Sequence, residues 1–163
     1  MTINPTGPLD GHAVLADVPL GAVLRYSDGA KRPPERFTKK LRAWQNRNAS
    51  GRLVEKTAPA DTGRSTYPAG FVLHEGTYGS NGTPVLVVRR HYLVSTDLHF
   101  EVIELPQPGM VRVLTRWNGR DELQHLAANM ADAEAWAARN RYSNLVFDPV
   151  ADDAPAVQIG RAA

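Results

Sequence analysis

The 163-residue chain contains no cysteine, and that single absence removes disulfides, thiolate catalysis and cysteine-ligated zinc or iron–sulfur centres together. No apolar run approaches the roughly 18 to 20 residues that a membrane-crossing helix needs, so no membrane role is expected. The first twenty residues lack a basic n-region and are interrupted by Pro and Asp. They do not read as a secretory leader, and a cytoplasmic location is the expectation. His12, His74, His91, His99 and His125 are dispersed, without a His-x-x-x-His pair or a His-Glu-x-x-His run, so no metal site is expected. The glycines at 76, 79 and 82 are not followed by the Gly-Lys-Ser/Thr of a phosphate loop. Ser65, Ser80 and Ser95 have no nucleophile-elbow context. Motifs therefore assign no catalytic residue and no cofactor, and a non-enzymatic role is expected.

Charge is what the sequence does supply, and it is unevenly placed. The stretch 31–56 carries nine Lys or Arg against two Glu, while the whole chain has a formal charge of only +2. The remaining residues are therefore net acidic. At 42% apolar and 22% charged residues, the composition is that of a chain with a real core rather than a disordered one. Within the basic stretch, Pro33 and Pro34 lead into a helix expected from about Glu35 to Asn48, because proline is tolerated in a first helical turn. Phe37, Leu41 and Trp44 recur at helical spacing and form a narrow apolar stripe expected to dock on the core. Most of the basic groups are then left facing solvent.

The rest of the chain reads as strands and turns. Residues 1–20 are punctuated by Pro and Gly and read as a loosely ordered arm, although Val14, Leu15 and Val18 offer a small apolar patch. Ala22–Tyr26 is a first strand and Arg52–Lys56 a possible second. Gly76–Pro84 reads as a glycine-rich mobile hairpin loop. Pro84–Val94 and Leu98–Leu105 read as the two arms of a hairpin. Asn118-Gly119 is the strongest turn signal, since a type I′ turn needs positive φ at both central positions. A helix is expected across Ala127–Arg141 and a short strand at Leu145–Phe147. The expectation is one α+β domain over residues 21–150, an antiparallel β-meander with two helices packed on it. Residues 151–163 are expected to be an acidic, frayed tail.

Functionally, Arg36, Lys39, Lys40, Arg42, Arg47 and Arg52 are the candidate binding residues, because each neutralised phosphate releases counterions and adds sequence-independent affinity. The plain alternative is a solvated helix whose charges neutralise the protein's own acidic surface, for example Asp148, Asp152 and Asp153. Arg89 and Arg90 lie on a strand and point to opposite faces, and pairing with Glu101 or Glu104 is their simplest use. A small accessory or inhibitor-type protein that binds nucleic acid or an acidic protein surface fits best. A protein-interaction module without nucleic acid is a further possibility, and nothing in the sequence sets the oligomeric state.

One local pattern points elsewhere. Arg25-Tyr26-Ser27-Asp28 followed by Arg32-Pro33-Pro34 resembles the first-strand arginine and downstream Arg-Pro-Pro of toxin-type ADP-ribosyltransferases, and Val94-Ser95-Thr96 is similar to their Ser-Thr-Ser strand end. The resemblance implies an NAD-using enzyme in which Arg25, Ser95 and one of Glu101, Glu104 or Glu122 form the site. Asp28 and Arg32 are separated by three residues, a strand is expected after the Ser-Thr pair, and no Glu-x-Glu or Gln-x-Glu pair follows.

Overall fold

Asp10 supplies the cap of the first helix. Its side chain accepts a hydrogen bond from the Ala13 N–H at 2.8 Å, opening helix α1 (Gly11–Asp17) in the computed structural model, which describes residues 7–152. Val14 and Val18, one turn apart, are both buried. Just before the helix, Leu9 exchanges backbone hydrogen bonds with Phe100. The segment expected as a loose arm is thus a docked element from Leu9 to Val18. Gly11 permits the docking, because a Cβ there would lie 2.5 Å from the Val94 carbonyl oxygen.

An eight-stranded antiparallel sheet curls into a half-barrel, which gives the expected α+β architecture with three helices. Its strands are β1 (Val23–Ser27), β2 (Ala49–Thr57), β5 (Gly70–Ser80), β6 (Thr83–Leu93), β7 (His99–Glu104), β8 (Val111–Trp117), β9 (Arg120–Ala127) and β10 (Leu145–Pro149). A separate two-residue ribbon pairs β3 (Ala60–Asp61) with β4 (Thr66–Tyr67). Helix α2 (Thr38–Arg47) joins β1 to β2, and α3 (Met130–Arg139) joins β9 to β10. Among the described residues, no helix is long and apolar enough to cross a membrane.

The sheet forks at β2. Arg52 pairs with Val23 on one edge and with His74 on the other, while Glu55 pairs with Val72 and Glu122. One edge of β2 is therefore shared, first by β1 and then by β9. A register shift between Leu53 and Glu55 marks the fork. There Leu53 enters the main core and Val54 instead packs with Leu114 and Leu123. The main core gathers Tyr26, Phe71, Tyr92 and Phe100 with ring centroids 5.2 to 6.2 Å apart, under α1. Burying each such ring contributes roughly 1.5–3 kcal/mol. A second cluster sets Ala133 and Trp136 of α3 against Val111, Val113 and Ala127.

Three expectations change. The strands Pro84–Val94 and Leu98–Leu105 do not form a hairpin, because β6 pairs with β5 and β7 pairs with β1. The cause is Asn81-Gly82, whose φ values of 52° and 77° make a tight turn that leaves Gly76–Ser80 in strand. Gly79 allows this close pairing, since a Cβ there would sit 2.0 Å from the Thr83 carbonyl oxygen. The helices packed on the sheet are α1 and α3, not α2. No residue of α2 is buried, and Phe37 just before it is 42% exposed. Helix α2 is also shorter than Glu35–Asn48, because the Phe37 N–H closes a turn on the Pro34 carbonyl. The Asn118-Gly119 hairpin forms as expected, with φ of 49° and 74°. Of the tail, residues 153–163 lie outside the described residues.

Candidate polyanion-binding surface

Helix α2 is held in place by polar tethers rather than by apolar packing. The Trp44 indole N–H donates to the Ala30 carbonyl at 2.7 Å, and Arg90 donates to the Asn46 carbonyl at 2.6 Å. Asn48 donates to the Asp28 carboxylate and to the Trp44 carbonyl, both at 2.9 Å. Arg47 bridges Asp28 at 3.0 Å and Asp97 at 2.7 Å. Hydrogen bonds from Asn48, Ala30 and Arg47 hold the Asp28 carboxyl below its ordinary range, while those from Arg47 to Asp28 and Asp97 raise the Arg47 pKa. The root of Arg90 is equally fixed, by Glu75 at 3.0 Å. Glu75 also accepts from the Tyr26 hydroxyl, whose pKa is pushed up by burial and by that bond.

The six candidate residues fall into two groups. Arg36, Lys39, Lys40 and Arg42 lie together on α2 and the turn before it, all exposed, and none forms an ion pair among the described residues. Arg47 serves the tether to Asp28 and Asp97. Arg52 lies on β2, where it donates to the Gly21 carbonyl at 2.5 Å and to Glu104 at 3.1 Å. Asp148 does not neutralise the helix, since it pairs with Arg112.

The residue that sequence reasoning misplaced is Phe37. Counted there as core, it stands at the helix start with the Arg36 guanidinium 4.8 Å and the Lys40 ammonium 5.4 Å from its ring centroid. The signal was present in the sequence, since cations at i−1 and i+3 flank it. The first turn of α2 holds no acidic residue and has no side-chain cap, so the positive end of the helix dipole is reinforced by Lys39 and Lys40. An exposed ring inside a cationic cluster can stack on a base while its neighbours meet phosphates.

Of the residues named by the transferase resemblance, Arg25 and Glu101 are brought together as cross-strand partners on β1 and β7. Arg25 ion-pairs with Glu101, Glu104 with Arg52 and Glu122 with Arg89. Ser95 sits in the turn after β6. Arg89 and Arg90 do not pair with Glu101 or Glu104, because β6 lies against β5 rather than β7; their partners are Glu122 and Glu75.

Residues 9–154 match the model of the family described as Uncharacterised conserved protein UCP036055, and the chain belongs to that family. No curated protein and no solved structure matches it.

Proposed function

We propose that the protein binds single-stranded nucleic acid without sequence preference through α2, as a small accessory protein of the cytoplasm. The observation that carries this reading is the exposed Phe37 ring flanked by Arg36 and Lys40, with Lys39 and Arg42 exposed on the same helix and none of the four ion-paired among the described residues. An acidic protein surface would satisfy the four charges equally well but gives no role to the ring. The polar tethers hold the cations on a fixed support, which lowers the entropy lost when a strand is bound. The NAD-using alternative has Arg25 beside one of its candidate glutamates, Glu101, but gives no role to the exposed Phe37 ring or to the cations of α2.

Fluorescence anisotropy with a labelled oligothymidine tests the reading. Four phosphate contacts on a single strand predict that log K falls against log salt with a slope of about −3. The combined Lys39→Glu, Lys40→Glu and Arg42→Glu change is expected to abolish binding at low salt, and Phe37→Ala to weaken it by about 1–3 kcal/mol. Unchanged retention by the charge-reversed protein would refute the proposal. Binding that survives nuclease treatment and needs an acidic protein would favour the interaction-module reading instead.

A further inference from the structure

Away from α2, the curl of the sheet encloses a groove of about 580 Å³ on the face opposite α1. That volume falls in the range of small-molecule sites. Arg89 of β6, which lines the groove, ion-pairs with Glu122 of β9, although the two strands share no backbone ladder. The groove's lining mixes apolar side chains such as Val54 and Leu123 with charged and polar ones.

Cross-strand register makes Arg52, His74 and Arg89 immediate neighbours on β2, β5 and β6, and all three line the groove. Strand alternation explains the row, since Leu53 and Leu73, next to Arg52 and His74, face the α1 core. Glu104 and Glu122 each engage one guanidinium and fix its position. A guanidinium has five N–H donors, so both arginines keep donors in reserve. His74 lies between them, with Nε2 2.8 Å from the Thr77 hydroxyl. Burial, then the charges of Arg89 and Arg52, push its pKa down. The opposite wall is aromatic. His125, Trp136 and Tyr142 form one stack, with centroids 5.2 and 5.6 Å apart and planes tilted by 2° and 14°. Leu123 and Val87 add apolar surface between the two walls.

We infer that this groove binds a small organic anion: a phosphate or carboxylate held by Arg52 and Arg89 across His74, with an attached ring against the Trp136–Tyr142 wall. Bidentate capture by arginine suits either anion, and the aromatic wall selects a planar body. The site is independent of α2 and of the nucleic acid proposed to bind there.

The test is a titration of the full chain followed by proton–nitrogen correlation NMR. The indole N–H signals of Trp136 in the groove and Trp44 on α2 act as separate reporters. Phenyl phosphate is expected to shift Trp136 and the His74 ring saturably, to leave Trp44 in place, and to bind about ten-fold more tightly than inorganic phosphate or phenol. Benzoate in its place distinguishes carboxylate from phosphate, and saturable binding of either supports the site. Arg52→Gln is expected to weaken binding about ten-fold, whereas Lys39→Glu with Lys40→Glu leaves it unchanged. Should Arg52→Gln fail to fold, the unmodified protein still decides, because a bound anion raises the His74 pKa. The inference is overturned if neither ring-bearing anion shifts Trp136 saturably, if only Trp44 responds, or if folded Arg52→Gln binds as tightly as the parent.

Discussion

Helices α2 and α3 are each ten residues long and each carries one tryptophan, yet they are built on opposite principles. In α3 the Asn129 side chain accepts from the Asp132 N–H at 2.9 Å and Asp132 in turn accepts from the Ala128 N–H at 3.1 Å, a reciprocal cap. Ala133 and Trp136 then enter a core. In α2 there is no side-chain cap, no acidic first turn and no buried residue. The contrast teaches that helical form here has two separate sources: α3 is held along its length, α2 chiefly by contacts from Trp44 to Asn48. A helix anchored near one end keeps its other surface available, and that surface is where the free cations lie.

Substitutions can break this contrast. The largest effect is expected at Trp136→Ala, a loss of about 2–4 kcal/mol in urea unfolding, because the ring leaves both the β8–β9 cluster and the aromatic stack. Trp44→Ala is expected to cost only about 1 kcal/mol, chiefly its indole hydrogen bond. Asn129→Ala should likewise cost about 1 kcal/mol by removing the α3 cap. Acid should loosen α2 before α3. Since the Asp28 pKa is lowered in the fold, the stability it contributes is present above its unfolded value of about 4 and is lost as pH falls through the lower folded value. Amide exchange measured down that range should accelerate in α2 first, while α3, held by Ala133 and Trp136 in a core, retains protection longer. Smallest of all, reversing Lys39, Lys40 and Arg42 to Glu should move stability by no more than about 0.5 kcal/mol, measured by the same unfolding. A larger loss would mean that those charges have internal partners.

The parts legible in the sequence are those set by neighbouring residues. Asn118-Gly119 announced its hairpin, and alternation located β8 and the strand content generally, because turn chemistry and period-two patterning act over a few residues. Pairing between distant strands was not legible. Glycine density between Gly76 and Gly82 suggested a loop, but Gly79 is there so that β5 and β6 can approach, a constraint visible only once both strands are placed. Helix α1 hid behind its prolines and glycines, although Asp10 as a cap and Val14 with Val18 one turn apart marked it. At the binding surface the charges were legible and the orientation was not. Helical spacing put Phe37, Leu41 and Trp44 on one stripe, but spacing does not say whether a core lies beneath it. The row Arg52, His74 and Arg89 was beyond reach for the same reason, since two cross-strand registers create it.

The placement of β1 between β2 and β7 also has a consequence in time. Arg25 and Glu101, paired across that seam, are 76 residues apart in sequence, and Leu9 waits for Phe100. Contacts of such separation close late, because the loop entropy must be met before the pairing stabilises anything. During synthesis β1 can acquire β2 early, but its other edge stays open until β7 has emerged. Leu9 and β1 are in this way among the last parts to become native, and a chain halted before β7 leaves Tyr26 without its second strand and without the Phe100 ring beside it.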